Sequence, residues 1–152
     1  MTTSTTMRPE NAPADRPNAL ANATLIVSGP TVLPAFWTAF FGVKPSRTST
    51  KGERFELPSG RMSPRPAQLG LWAFSSGPGT RSDFLAPHLI FLQSRLSLPR
   101  RDARALLEAQ GATIALWCYW CNPSGDRVPD IPPFAREMME AMGGTIEIDE
   151  YR

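Results

Sequence analysis

The run Gly111-Ala-Thr-Ile-Ala-Leu-Trp-Cys-Tyr-Trp-Cys121 constrains this chain more than any other stretch, because it is the longest apolar and aromatic segment in the sequence. Its β-branched and aromatic content reads as a strand, with a glycine before it and Asn122-Pro-Ser-Gly125 after it as punctuation. Apolar and aromatic residues at almost every position point to burial on both faces, and so to a central strand that needs neighbours. Ala23 to Ser28, Gln68 to Ser75 and Thr145 to Asp149 are the other short runs with strand character, and they supply those neighbours.

The 152 residues fit one domain able to bury a core without a metal or disulfide. A hydrophobic fraction of 41% with 20% charged residues is that of a globular protein. Sixteen prolines predict long loops, since they gather in the N-terminal tail, around Pro58 to Pro66 and around Pro123 to Pro133. A net charge of +2 is too small to point to nucleic acid or a membrane. The charge is polarised, however: residues 1–125 hold 13 basic and 7 acidic side chains, whereas 126–152 hold 3 and 7. No segment approaches the roughly 20 apolar residues of a membrane span. The polar segment Met1 to Asn22 is no export signal. A cytoplasmic location is therefore expected, and two cysteines three positions apart agree with it better than with a secreted disulfide scaffold.

Residues 1–21 read as a disordered leader and 22–152 as a single α+β domain. After the first strand, Pro34 to Phe41 sets Leu33, Trp37, Phe40 and Phe41 at helical spacing, with Gly42 as the stop. Lys44 to Arg65 reads as a long exposed loop with an extended piece at Arg54 to Leu57. A second strand over Gln68 to Ser75 follows, then a helix capped by Ser82 or Asp83 and carrying Leu85, Leu89, Leu92 and Leu96. Pro99 starts another helix to Gln110. A final helix carries Phe134, Met138 and Met142 up to Gly143-Gly144, before the closing strand with its apolar and acidic sides. The order predicts a four-stranded sheet with helices mainly on one face. Two β-α-β halves joined by an inserted helix pair make it similar to a ferredoxin-like split β-α-β.

Several short motifs resemble the bacterial family known as domain of unknown function 4279 (DUF4279). They are Thr38-Ala-Phe-Phe-Gly-Val-Lys-Pro-Ser-Arg47, Lys51-Gly-Glu53, Gly70-Leu-Trp72, Ser75-Ser76, Leu106-Leu-Glu-Ala-Gln-Gly111 with the aromatic strand after it, and Ile146-Glu-Ile-Asp-Glu-Tyr151. The resemblance covers Ala23 to Arg152 and implies a compact α+β bacterial domain, with relatives encoded beside toxin genes. It brings no catalytic residues. The chain departs from the family pattern in its long leader and in Cys121, where a polar residue is expected.

Cys118-Tyr-Trp-Cys121 matches C-x-x-C, but it sits on a strand with no helix behind it to stabilise a thiolate, so buried thiols are expected. His88, the one histidine, has no partner at metal-ligand spacing and reads as a packed or hydrogen-bonded helix residue. No nucleophile elbow, phosphate-binding loop or paired-carboxylate motif is present. No metal or cofactor is expected. The candidate binding residues are Lys44, Arg47, Lys51, Glu53 and Arg54 of the loop, with Trp72 and Tyr119 of the strands. Trp72, Phe74, Trp117 and Tyr119 are the possible stacking faces, although helices usually cover such aromatics and Trp72 is expected in the core.

The leading expectation is a small non-enzymatic binding protein of the immunity type, neutralising a toxin by occluding its surface. Its partner is a protein, with a homodimer as another pairing and no membrane. The alternatives are a single-stranded nucleic-acid module using the basic loop 44–65 and the sheet aromatics, and an uncharacterised enzyme.

Overall fold

The computed structural model describes residues 20–152, so the leader expected over 1–21 lies almost wholly outside the described residues. Five strands and four helices follow: β1 (Ala21–Gly29), α1 (Pro34–Phe41), β2 (Arg47–Ser49), β3 (Gly70–Ser75), α2 (Leu85–Leu96), α3 (Ala103–Gln110), β4 (Thr113–Cys121), α4 (Pro133–Ala141) and β5 (Thr145–Tyr151). They form one sheet in the order β2-β3-β1-β4-β5.

This α+β architecture with a helix layer was legible, but three details differ from expectation. The sheet has five strands, because Arg47–Ser49 pairs with Ala73, Trp72 and Leu71 inside the expected loop. Its centre is β1, which is antiparallel to both β3 and β4. The Ala23 to Ser75 half is therefore no parallel β-α-β unit, and the pairing is not ferredoxin-like. Only β4 and β5 form a parallel pair, joined through α4, so the crossover rule governs only that connection.

The third difference concerns β4 itself. Ile114, Leu116, Cys118 and Trp120 are buried, whereas at the alternate positions Thr113 and Trp117 are exposed and Ala115, Tyr119 and Cys121 half-buried. The strand is buried on one face. Its continuous apolar run arises because the other face is apolar as well, without a helix over it.

Strand positions facing the helices alternate strictly: Ala21, Ala23, Leu25 and Val27 of β1 are buried with the β4 set and Trp72 of β3. Trp37 and Phe41 of α1, the four leucines of α2, Leu107 of α3 and Met138 and Met139 of α4 join them in one core. An aromatic ladder ties three elements together: Phe41 stacks on Trp72 at 4.9 Å, Trp72 on Phe74 at 6.4 Å, and Phe74 on Phe91 of α2 at 6.4 Å. Two glycines permit close approach. A Cβ on Gly70 would overlap the Val32 carbonyl, and one on Gly144 would lie 2.6 Å from the Ile114 oxygen.

Helix ends are tied by distant side chains. Neither Ser82 nor Asp83 caps α2. Instead the Asp130 carboxylate accepts from Leu85 N–H at 2.7 Å and Ala86 N–H at 2.9 Å, while Asp83 accepts from Leu20 N–H. Arg100 donates to the Leu96 and Phe40 carbonyls, at the ends of α2 and α1, and its guanidinium lies 4.5 Å from the Phe40 ring centroid. Arg104 does the same for the Glu140 carbonyl of α4.

Candidate functional site

The register decides which side chains share the face turned away from the helices. Directly paired residues point the same way, so one row across the sheet is Arg47, Ala73, Ile26, Ala115 and Thr145. The next is Ser75, Thr24, Trp117 and Glu147, and the third is Asn22, Tyr119 and Asp149. On the other side of the first row lie Ser49, Leu71, Ser28 and Thr113. Trp117, 44% exposed, stands near the middle of this surface. Ile26 and Tyr119 lie beside it half-buried, and Leu71, also half-buried, lies two strands away on β3.

The two margins carry opposite charge. Arg47 is exposed on β2 and Glu147 and Asp149 stand on β5. Tyr119 packs on Tyr151 with ring centroids 5.1 Å apart, and the Tyr151 hydroxyl donates to Asp149 Oδ2 at 2.8 Å. That bond raises the pKa of Tyr151, because the phenol is the donor to a carboxylate. Burial, with the neighbouring Cys121 adding to it, pushes Tyr119 up to about 12. Both phenols are therefore neutral donors at physiological pH.

The other expected site residues divide. Lys44, Lys51, Glu53 and Arg54 are exposed on the segments flanking β2, outside the sheet rows. The segment beyond β2 is no irregular loop. It folds back on itself: Gly52 N–H donates to the Ala67 carbonyl, Ala67 N–H to Glu53, Ser63 N–H to Phe55 and Leu57 N–H to Arg61. Its extended piece around Glu56 bridges to Met62, and Phe55, Leu57, Pro64, Pro66 and Ala67 line a shallow hollow of about 280 Å³. Trp72 is fully buried, with Nε1 donating to Thr38 Oγ1 at 3.0 Å, so it belongs to the core and offers no stacking face. Of the candidate binding residues Arg47 and Tyr119 share the open face, and Trp117 of the possible stacking set joins them there, whereas Phe74 faces the helices with Trp72. Ile26, Leu71 and Tyr151 of that face were not singled out, and period-two alternation along β1, β3 and β5 is the signal that marks them.

Among the described residues the buried indole Nε1 of Trp120 has no hydrogen-bond partner, whereas buried His88 and Ser76 are both paired. His88 Nε2 lies 2.9 Å from the Ser82 carbonyl, which can only accept, so the imidazole carries its proton there. Its Nδ1 then accepts from the Ser76 hydroxyl at 2.7 Å, and Ser76 Oγ accepts from Ala23 N–H at 3.0 Å. This Ser–His pair is sealed, with both residues at most 1% exposed. It pins the β3–α2 connection to β1. The expectation of buried thiols holds for Cys118 alone: it faces the core and burial pushes its thiol up to about 12, whereas Cys121, three positions on, faces the open side and is half-buried. Among the described residues no group of three or more His, Cys, Asp or Glu side chains could hold a metal ion, and no helix is long and apolar enough to cross a membrane.

The family model described as "Domain of unknown function (DUF4279)" matches residues 19–152. No curated protein and no solved structure matches the chain.

Proposed function

The chain belongs to the DUF4279 family, and we propose that it acts as a non-enzymatic binding protein whose helix-free sheet face docks a protein partner. The observation that carries this reading is Trp117, a large aromatic 44% exposed on a regular strand, with Tyr119 and Tyr151 packed together on the same face. An aromatic strip set among small polar side chains with a charged margin suits a protein contact, where aromatic anchors dominate binding energy. In its more specific form the partner is a toxin, blocked by occlusion. The near-neutral net charge of +2 fits an apolar contact better than a strongly acidic decoy for a basic nuclease.

A stacking platform for single-stranded nucleic acid is the second reading, favoured by Trp117, Tyr119 and Arg47 on one face. Glu147 and Asp149 on that same face oppose it by repelling phosphate.

The test is growth rescue. The chain is co-expressed with the product of an adjacent toxin-like reading frame, and the two are co-purified. Rescue and co-purification are expected for the parent and lost for Trp117→Asp with an unchanged far-UV spectrum. Rescue that survives both Trp117→Asp and Tyr119→Asp would remove the open face as the docking surface.

A further inference from the structure

We propose that the open sheet face is self-complementary, and that a second copy of this chain closes it when no other partner is bound. This rests on the reading that the face is a docking surface, and it adds an occupant and a mode of regulation.

The argument follows from strand order. Because β1 is the middle strand of β2-β3-β1-β4-β5, a two-fold axis running along β1 between two stacked sheets sets β1 on β1, β4 on β3 and β5 on β2 of the other copy. Positions along the strands are kept under that operation, so each row meets itself reversed. In the first row Ile26 meets Ile26 on the axis, half-buried Ala115 lies opposite Ala73, which its own neighbours already leave only 2% exposed, and Arg47 meets Thr145. In the second row Trp117 meets Ser75, with Thr24 between them, so the largest side chain of the face lies over two of its small ones.

Charge obeys the same symmetry. Arg47 at the β2 margin comes over the β5 margin of the other copy, where Glu147 is one row, ~7 Å, further along the strand and within reach of an arginine. Both margins are satisfied at once, which a two-fold requires. An axis across the strands instead would place β2 on β2 and β5 on β5, bringing like charges together. The area suffices: five strands at ~4.8 Å spacing and ~20 Å of strand length give roughly 500 Å² per copy, about 1,000 Å² in all, at the threshold of a specific interface. Such a weak pair leaves the face available to a tighter-binding partner, which would compete with the second copy.

Sedimentation over a micromolar-to-millimolar dilution series tests this, with far-UV spectra of each variant as the folding control. A monomer–dimer equilibrium is expected for the parent. Trp117→Asp and Ile26→Asp each weaken it by at least about tenfold, the latter by setting two carboxylates on the axis. Arg47→Glu weakens it as well, and adding Glu147→Arg restores it to within about threefold of the parent. A parent that stays monomeric throughout overturns the self-pairing and leaves docking of a different protein standing, since the rescue assay reads that independently. A dimer indifferent to Trp117→Asp and Ile26→Asp also overturns it, because the contact then lies elsewhere.

Discussion

The two faces of β4 are made from the same kinds of residue and do opposite things. Towards the helices, Ile114, Leu116, Cys118 and Trp120 are all at most 2% exposed, whereas on the other side Trp117 is 44% exposed and Tyr119 half-buried beside it. An aromatic therefore says nothing by itself about core or interface. What separates Trp120 from Trp117 is the parity of their positions on a strand that has helices on one side only. Apolar surface kept in water costs solubility and yields no stability, a cost that the proposed docking role would offset.

The sharpest way to break this comparison is to truncate one tryptophan on each face. Trp72→Ala removes a fully buried ring stacked between Phe41 and Phe74 and strands the Thr38 hydroxyl, and it should cost ~3–5 kcal/mol in denaturant unfolding. Trp117→Ala should change stability by only about 0.5 kcal/mol, as for surface sites generally. Equal losses would mean that the open face is covered in the folded chain, and the contrast between faces would be void.

A smaller effect comes from the cysteines. Burial raises Cys118 from its model-compound value of 9.0 to about 12, so between those values the unfolded thiol has lost its proton and the folded one has not. The folded state then binds more protons, and stability falls as pH rises through that window, by about 1.4 kcal/mol per pH unit from this group. Below pH 9 the group contributes no slope. Urea midpoints measured from pH 8 to 11 should fall more steeply in the parent than in Cys118→Ala. A thiol reagent at neutral pH should label Cys121 first and Cys118 only on unfolding. Identical slopes in parent and variant would show that the thiol is not shielded as its side of the strand demands.

How much of this was legible depends on whether the signal was local. Helix periodicity located the leucines of α2 and the methionines of α4, and Gly42, Gly111 and Gly143 marked helix ends with positive φ as their positions suggested. The fit of Cys118 and His88 to a buried structural role was legible too, from strand parity and from the absence of partners. β2 was not, because Arg-Thr-Ser has no apolar alternation and pairs only because β3 offers an edge. The cap of α2 was equally hidden: it comes from Asp130, 45 positions from Leu85, while the nearer Asp83 accepts from Leu20 instead. The open face was misread for a different reason. An uninterrupted apolar run is the same string whether helices cover both sides of a strand or one, and only the placement of the helices, all packed on one side of the sheet, distinguishes the two.

The smallest expected effect on stability belongs to the basic segment around β2, and it separates that segment from the face beside it. Lys44, Arg47, Lys51 and Arg54 are exposed, and among the described residues the side-chain ion pairs are Arg104–Glu108 and Arg152–Glu150, neither of which involves them. Replacing all four by Gln should therefore shift unfolding by ~0–1 kcal/mol. Binding should divide them. Only Arg47 stands in a row of the open face, so Arg47→Gln alone should reproduce most of the loss in association rate and salt sensitivity seen for the fourfold variant with a protein partner. If binding instead falls in equal steps with each of the four, and the slope of affinity against salt flattens with each, the ligand is following a string of cations rather than the apolar face. That result would favour a nucleic acid seated on the folded-back segment and would relieve Trp117 of the role its exposure suggests.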